Sequence, residues 1–333
     1  MINWGILGTS FISGVMADAI AGVPGHQVYG VAGRSSANLA AFCQQHPTKH
    51  VFNDYAQIIA DPEVDVIYIA LPNHVHHEYI LQAARAGKAI LCEKSLSVDM
   101  EKTQIALAAI KEHKVFFLEG LMYLHHPLIT ELVAQLKSGV VGEVRSITAR
   151  YGADIVKFVN PDSRGAIYNL GCYPASLIHL VMQLSYGEMA NRYQIAANGR
   201  RGADTNIVET SALLTWPGLA VAHLHCVEDY GMFWDFSIQG SAGTLRIESN
   251  PWLPEVQGNV ITVKPYEQPA QRIEISAEGD AFYYQVQAVG NALMQKQLEA
   301  KRPAVGLQDS LEIMQLLTEW ESQALNFSDN FCH

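Results

Sequence analysis

Through the first third of the chain, short apolar runs alternate with helix-periodic stretches, and the first run enters a glycine turn. The run Ile2–Leu7 is strand-length, and Gly5-Ile6-Leu7-Gly8-Thr9-Ser10-Phe11-Ile12 carries it into residues 11–20, where apolar residues recur at helical spacing. Further strand-like runs fall at 27–32, 64–71, 89–92 and 115–118, with helical patterns at 37–45, 79–86 and 100–113 between them. The run VDVIYIAL at 64–71 is β-branched and apolar without alternation, the pattern of a strand covered on both faces. Regular alternation of strand and helix predicts a doubly wound parallel sheet.

The pattern changes after about residue 120. A helix over 128–138 precedes a strand over 144–151 and a helix over 174–183. From 193 to 275 the chain is strand-like, broken by turn signals such as Pro217-Gly218 and Gln257-Gly258-Asn259. This predicts a mostly antiparallel open sheet with helices on one face. Helical patterns at 281–299 and 307–325 close the chain, and a frayed tail is expected from 326 to 333. A chain of 333 residues exceeds the usual size of one core. The expected fold class is therefore α/β: a parallel-sheet domain over 1–120 and an α+β domain over 121–333.

Composition narrows the function. Hydrophobic residues make up 49% of the chain and charged residues 17%, which excludes a disordered or fibrous protein. A formal charge of −11 is ill suited to coating a phosphate backbone, so no nucleic-acid partner is expected. The five cysteines, at 43, 92, 172, 226 and 332, form no C-x-x-C pair, which fits a reducing cytoplasm better than a disulfide framework. The first Lys or Arg is Arg34, and Asp18 interrupts the opening apolar stretch, so no signal peptide is expected. With no uninterrupted apolar run of about 18 residues, no membrane span is expected.

In the opening turn, Gly8 lets backbone approach a pyrophosphate, whose charge is favoured at a helix N-terminus. Thr9, Ser10, Phe11 and Ile12 complete the candidate phosphate site, although the usual pattern has glycine where Ser10 stands. The second strand ends in Ala32-Gly33-Arg34-Ser35-Ser36. A cofactor lacking a 2′-phosphate commonly meets an acidic residue there. A guanidinium and hydroxyls suit a 2′-phosphate, so Arg34 and Ser35 favour NADP(H) over NAD(H).

Three further segments complete a pattern: Ala70-Leu71-Pro72-Asn73-His74-Val75-His76, Cys92-Glu93-Lys94-Ser95, and Asn169-Leu170-Gly171-Cys172-Tyr173-Pro174. With the opening turn, Glu119-Gly120-Leu121-Met122-Tyr123, His126-Pro127 and Gln308-Asp309-Ser310-Leu311, they resemble the glucose–fructose oxidoreductase/inositol dehydrogenase/MocA (Gfo/Idh/MocA) family over nearly the whole chain. The C-Y-P segment is most similar to the dihydrodiol dehydrogenase and xylose dehydrogenase branch. The resemblance implies a Rossmann domain followed by an α+β domain with a large open sheet, through whose outer face many members associate, so a homodimer or higher homo-oligomer is expected. It also implies hydride transfer between nicotinamide and a secondary hydroxyl or carbonyl of a sugar, cyclitol or diol. By position, Lys94 and Tyr173 are the implied catalytic residues, and Leu71, Pro72, Asn73, His76, Glu93, Lys94 and Met122 flank the cofactor. Tyr123, Asn169, Lys94 and Tyr173 would meet the substrate.

The chemistry suits these groups. Hydride leaves a carbon only as its hydroxyl loses a proton, so an acceptor is needed in one direction and a donor in the other. A tyrosine ordinarily titrates near pH 10, and a nearby ammonium favours its phenolate. Taken without the resemblance, Lys94 reads as a solvated lysine at a strand end and Tyr173 as packing at a helix start. His74, His76 and His77 share a loop without a cysteine pair or carboxylate set, so no metal is expected there. His179 reads equally as a substrate contact or as buried polarity. His223 and His225 share one strand face, with solvent exposure the expected reason, and the aromatics Tyr230, Phe233, Trp234 and Phe236 read as packing before sugar stacking.

The chain departs from the family's pattern at several positions. Ser95 stands in place of a proline, Asn169 in place of an aspartate, and Leu124 where many relatives carry arginine, which disfavours an anionic substrate. Arg164 would cover the cofactor or contact substrate. These departures leave two alternatives to a dehydrogenase: a catalytically silent nucleotide sensor on the same fold, or a glycoside-processing enzyme that uses its nicotinamide transiently.

Overall fold

The computed structural model describes residues 1–331, with side chains described to residue 327. The chain divides into two compact units, Met1–Met122 with Phe282–Leu311, and Tyr123–Ala281 with Glu312–His333. The expected boundary near 120 thus falls within two residues of the first division, but the chain crosses twice more. Residues 282–311, assigned from sequence to the second domain, pack in the first. The physical reason is burial: Val286, Val289 and Ala292 of the helix Ala281–Met294 join the core formed by Trp4, Ile6, Met16 and Ile20.

The first unit holds a six-stranded sheet in the order β3-β2-β1-β4-β5-β6, parallel throughout. Its strands are β1 (Ile2–Leu7), β2 (His26–Ala32), β3 (His50–Phe52), β4 (Val66–Ile69), β5 (Ala89–Cys92) and β6 (Phe117–Glu119). The helices are α1 (Phe11–Gly22), α2 (Ser36–Gln45), α3 (Tyr55–Ala60), α4 (His76–Arg85) and α5 (Met100–His113). Every residue of β4 and β5 is buried, which accounts for their unbroken apolar runs. Sequence periodicity missed β3 and α3, which are too short to show a period. The capping residue was visible: Asp54 accepts from Ala56 N at 2.9 Å. Strand order reverses beside β1, and such a switch point opens a crevice at the carboxyl ends of the strands.

The second unit holds an eight-stranded sheet, β14-β13-β12-β11-β7-β10-β9-β8. Its strands are β7 (Val144–Ala153), β8 (Gln194–Arg201), β9 (Ile207–Trp216), β10 (Ala220–Val227), β11 (Met232–Gly240), β12 (Gly243–Ile247), β13 (Asn259–Pro265) and β14 (Gln271–Ile275). Only β7 and β10 pair parallel; the other neighbours are antiparallel. Helix α6 (Pro127–Lys137) packs on β13, and α7 (Cys172–Tyr186) on β7 and β10. On the sheet's other side, His223, Arg150 and Leu213 are exposed, so the alternation of one covered and one open face holds. The chain closes with α8 (Ala281–Met294) and α9 (Leu307–Phe331). Because α9 runs to Phe331, the expected frayed tail begins too early at 326; residues 332–333 lie outside the described residues. Among the described residues, no helix is long and apolar enough to cross a membrane.

Candidate active site

In the first unit, β1 leads into a turn closed to side chains. Gly8 has φ +104°, and a Cβ there would lie 2.7 Å from the Ala70 carbonyl oxygen. Its N–H donates to Ala32 O at 2.8 Å, which ties the turn to the end of β2. Helix α1 then begins with Ser10 at its N-cap. Among the described residues Ser10 caps no backbone amide; its hydroxyl faces Ser13 Oγ at 3.1 Å. The first amides of α1 therefore lack a side-chain cap, and no acidic residue occupies the first turn. A glycine cradle beside such a helix start fits a dinucleotide pyrophosphate. Thr9, Ser10 and Phe11 border this turn, with Phe11 88% exposed; Ile12 packs partly into the core.

The end of β2 supplies a different chemistry. Arg34, Ser35 and Ser36 are exposed, and Ser35 Oγ caps α2 by accepting from Asn38 N at 3.3 Å. The Arg34 charge reaches the Tyr79 phenol: burial raises the Tyr79 pKa, and Arg34 pulls against that rise. A guanidinium beside hydroxyls at a helix start fits the phosphate that distinguishes the two nicotinamide dinucleotides.

Leu71, Pro72 and Asn73 carry the chain from β4 into a short 3-10 turn and α4. His76 begins that helix fully buried, with Nε2 2.7 Å from Leu71 O and Nδ1 3.1 Å from Ser95 O. A neutral imidazole donates from one nitrogen only, so His76 gives its hydrogen bond to one of these two carbonyls. Burial pushes the His76 pKa down to about 4, against the upward pull of the carbonyls. With no exposed surface, His76 packs between the 71 and 95 segments.

Strand β5 ends at Cys92, and Glu93, Lys94 and Ser95 follow. Glu93 is 8% exposed, and its Oε1 accepts from Tyr68 OH at 2.7 Å. Burial raises its pKa, while the Lys94 charge and the Tyr68 hydroxyl lower it. Lys94 is half-buried, and the Lys94–Ser95 peptide is cis. Just beyond, Leu96 N donates to Glu119 Oε1 at 3.0 Å, and Ser310 Oγ donates to Glu119 Oε2 at 2.6 Å. Glu119 is 1% exposed, and burial pushes its pKa up to about 7. The segment carrying Lys94 is thus held at Leu96 by Glu119, with His76 packed against Ser95. Sequence reasoning used Glu119 only as part of a motif; the acidic residue closing the apolar run Phe116-Phe117-Leu118 was the available signal. Met122, buried, ends this part of the unit.

The second unit begins at Tyr123. Its hydroxyl donates to Tyr173 O at 3.2 Å and lies 2.7 Å from Ser176 Oγ. Tyr123 is fully buried, and its hydroxyl supports the backbone of Tyr173. Tyr173, 6% exposed, is the second residue of α7, after a π-helical turn over Ile167–Gly171. Its ring lies 5.4 Å edge-to-face from Tyr151, 5.8 Å from Tyr123 and 6.3 Å from Trp252. Trp252 is fully buried and donates from Nε1 to Arg150 O at 3.0 Å. Sequence reasoning missed Trp252, which lies between two prolines in an aperiodic loop. Asn169 Nδ2 donates to Glu228 Oε2 at 2.7 Å.

Further candidates are engaged structurally. Arg164 pairs with Glu321 at 2.9 Å, and Tyr168 OH donates to the same carboxylate oxygen at 3.0 Å. His179 lies 3.4 Å from Glu312. His126 caps α6, accepting from Leu128 N at 3.1 Å, and Phe236 is core. Phe233 stacks on His225 at 5.7 Å.

The structure therefore gathers Gly8, Arg34, Leu71 and Lys94 at the carboxyl ends of β1, β2, β4 and β5. It gathers Tyr123, Asn169 and Tyr173 around the start of α7. Lys94 and Tyr173 belong to different units.

The family models match both parts. The oxidoreductase family model with an NAD-binding Rossmann fold matches residues 2–121, and the GFO/IDH/MocA C-terminal domain matches residues 129–246. Trans-1,2-dihydrobenzene-1,2-diol dehydrogenase of Xenopus tropicalis is 28% identical over 261 residues, 76% of this chain and 77% of the relative. D-xylose 1-dehydrogenase (NADP(+)) 2 of Haloferax volcanii is 28% identical over 256 residues, 74% of this chain and 75% of the relative. In fold, the chain is similar to a 3-ketoreductase from Actinomadura kijaniata in complex with NADP and TDP-benzene, with a TM-score of 0.84, 24% identity and 97% of each chain covered. Both parts of the expected architecture are present, matched in order by the two models, and the chain belongs to the Gfo/Idh/MocA oxidoreductase family.

Proposed function

We propose that this protein is an NADP(H)-dependent oxidoreductase that interconverts a secondary hydroxyl and a carbonyl on a neutral sugar, cyclitol or diol. One observation carries the reading: the Gly8 cradle at the start of α1 and the anchored Lys94 lie on the same edge of one parallel sheet. Exposed Arg34, Ser35 and Ser36 at the end of β2 support NADP(H) over NAD(H). Two relatives whose names specify a diol and a xylose support the substrate class. Leu124, buried and apolar, supports a neutral substrate.

The bound nicotinamide supplies the hydride acceptor or donor, and the chain's own residues handle the proton. Tyr173 takes the hydroxyl proton in oxidation and returns it in reduction. Lys94 donates to the same oxygen, stabilises charge that develops there and favours the phenolate of Tyr173. Tyr123, Tyr151 and Trp252 hold the Tyr173 ring and keep water from it. Replacing Tyr173 by Phe and Lys94 by Met should each abolish turnover while sparing cofactor binding in a fluorescence titration. Near-normal rates in both variants refute the assignment.

The substrate is found by screening sugars and diols with NADP+ and NAD+ in parallel, following reduced-nicotinamide absorbance. Binding without turnover would mark a sensor, and turnover without net reduction would mark a glycoside-processing enzyme. The exposed face of the eight-stranded sheet, with a cavity of about 730 Å³ lined by Arg150, Leu213, His223 and His225 among others, supports pairing of two copies. Light scattering tests this, and a monomer at working concentration counts against it. Cys43, Cys92, Cys172 and Cys226 form no disulfide among the described residues, which supports a reducing, cytoplasmic compartment.

A further inference from the structure

The edge of the parallel sheet opposite the Gly8 turn carries a recess of its own. There β1 and β5 begin, at Ile2 and Ala89, and α5 and α8 end, at His113 and Met294. The recess holds about 590 Å³ and is walled by Ile2, Val115, Phe116, Leu293, Met294 and Leu298. That volume is in the range of small-molecule pockets. Val115 and Phe116 are buried, whereas Met294 and Leu298 are 73% and 49% exposed. The frame is fixed, because Phe117 N donates to Leu298 O at 3.1 Å and so ties the strip after α8 to β6. Exposed apolar side chains gathered around one hollow mark a place where something binds.

The lining is also cationic. Lys114 follows α5, Lys296 comes just after α8, and both are exposed. Among the described residues neither ammonium is ion-paired. Both lysines hold left-handed backbone, at φ 51° and 54°, although glycine ordinarily takes such positions. At α8 this closes a Schellman pair: Lys296 N donates to Leu293 O at 3.0 Å, and Gln297 N to Ala292 O at 2.9 Å. Asp65, the acidic residue of the lining, accepts from Asn3 N at 2.8 Å. Two unpaired ammonium groups beside an apolar hollow, on a chain of net charge −11, are complementary to an anion with an apolar body. We propose that this recess is a binding site for a medium-length aliphatic carboxylate, whose chain lies on Phe116, Met294 and Leu298 and whose head meets Lys114 and Lys296. The site lies where the strands begin, at the end of the sheet away from the Gly8 cradle, and does not depend on the oxidoreductase reading.

The test titrates octanoate, 1-octanol and acetate into the full chain, followed by NMR after selective methyl labelling of its nine methionines. Octanol offers the chain without the charge, and acetate the charge without the chain. Octanoate should bind saturably and about tenfold more tightly than either, a comparison that needs no variant. The Met294 methyl, assigned by Met294→Leu, should shift with octanoate, and the Met122 methyl should not. Neutralising both ammonium groups, with Lys114→Gln and Lys296→Gln in one chain, should weaken octanoate about tenfold and leave octanol unchanged. Octanoate that does not saturate, octanol that binds as tightly, an unchanged octanoate affinity in the double variant, or a shift centred on Met122 overturns the inference.

Discussion

Replacing Glu119 by Gln should change how stability depends on pH, with a sign and size set by burial. The Glu119 carboxyl is 1% exposed, and desolvation raises its pKa from 4.5 to about 7. The Ser310 hydroxyl and the Leu96 amide favour the charged form but do not offset that cost; the neighbouring Glu93 adds to it. Between pH 4.5 and 7 the unfolded chain has released this proton while the folded chain keeps it. The folded state then binds more protons, so stability falls as pH rises through that window and levels off above it. At about 1.4 kcal/mol per pKa unit, the loss is on the order of 3 kcal/mol. Urea denaturation of the wild type and Glu119→Gln from pH 4.5 to 8.5 isolates this contribution, because the other titrating groups are shared. The wild-type stability minus that of the variant should drop by roughly 3 kcal/mol across the window and then stay flat. A difference that is level throughout, or that rises with pH, refutes the argument.

Arg34→Asp should weaken NADP(H) binding at least about tenfold while leaving NAD(H) nearly unchanged, measured by calorimetric titration, because a carboxylate repels the extra phosphate. Gly8→Ala forces a Cβ against the Ala70 carbonyl at φ +104°, so it should cost about 1–3 kcal/mol and weaken dinucleotide binding, measured by thermal melting and titration. Gln285 is fully buried, and neither side-chain polar atom has a hydrogen-bond partner among the described residues. Gln285→Met should therefore raise stability by about 1–2 kcal/mol and the melting temperature by a few degrees, and a lower melting temperature counts against it.

The parallel sheet was legible because β4 and β5 are buried on both faces, and continuous apolar runs are how such strands read. The segments around Gly8, Lys94 and Tyr173 were legible because each joins special residues over a few consecutive positions. Contacts of high sequence separation were not. Nothing local marks Glu228 as the partner of Asn169, 59 residues away, or Trp252 as a neighbour of the Tyr173 ring. The return of 282–311 to the first unit was hidden for a similar reason: an amphipathic helix shows which face it buries, but not against which core. Position along the chain put His76 and Tyr123 beside ligands; in the structure both side chains are fully buried and meet backbone carbonyls. A motif residue can matter by holding its neighbour's peptide group in place.

Glu93, Glu119 and Glu228 follow that logic from the opposite chemical starting point. Carboxylates read as solvated from sequence, yet these are 8%, 1% and 1% exposed. Each accepts from a neutral donor: Tyr68 OH, the Leu96 amide with the Ser310 hydroxyl, and the Asn169 amide. A neutral donor fills a carboxylate's lone pair without cancelling its charge, so a buried group such as Glu119 is costly compared with an apolar side chain of similar size. What an apolar side chain cannot do is fix the direction of a dipole. Glu119 fixes the amide two residues beyond Lys94, and Glu228 fixes the amide four residues before Tyr173. The expensive groups thus stand beneath the segments that carry the proposed chemistry, where small errors of orientation cost most. On this argument stability and turnover should move in opposite directions in Glu119→Gln: its stability relative to the wild type rises from pH 5 to pH 8, and the segment holding Lys94 loses the carboxylate that accepts from Leu96 N.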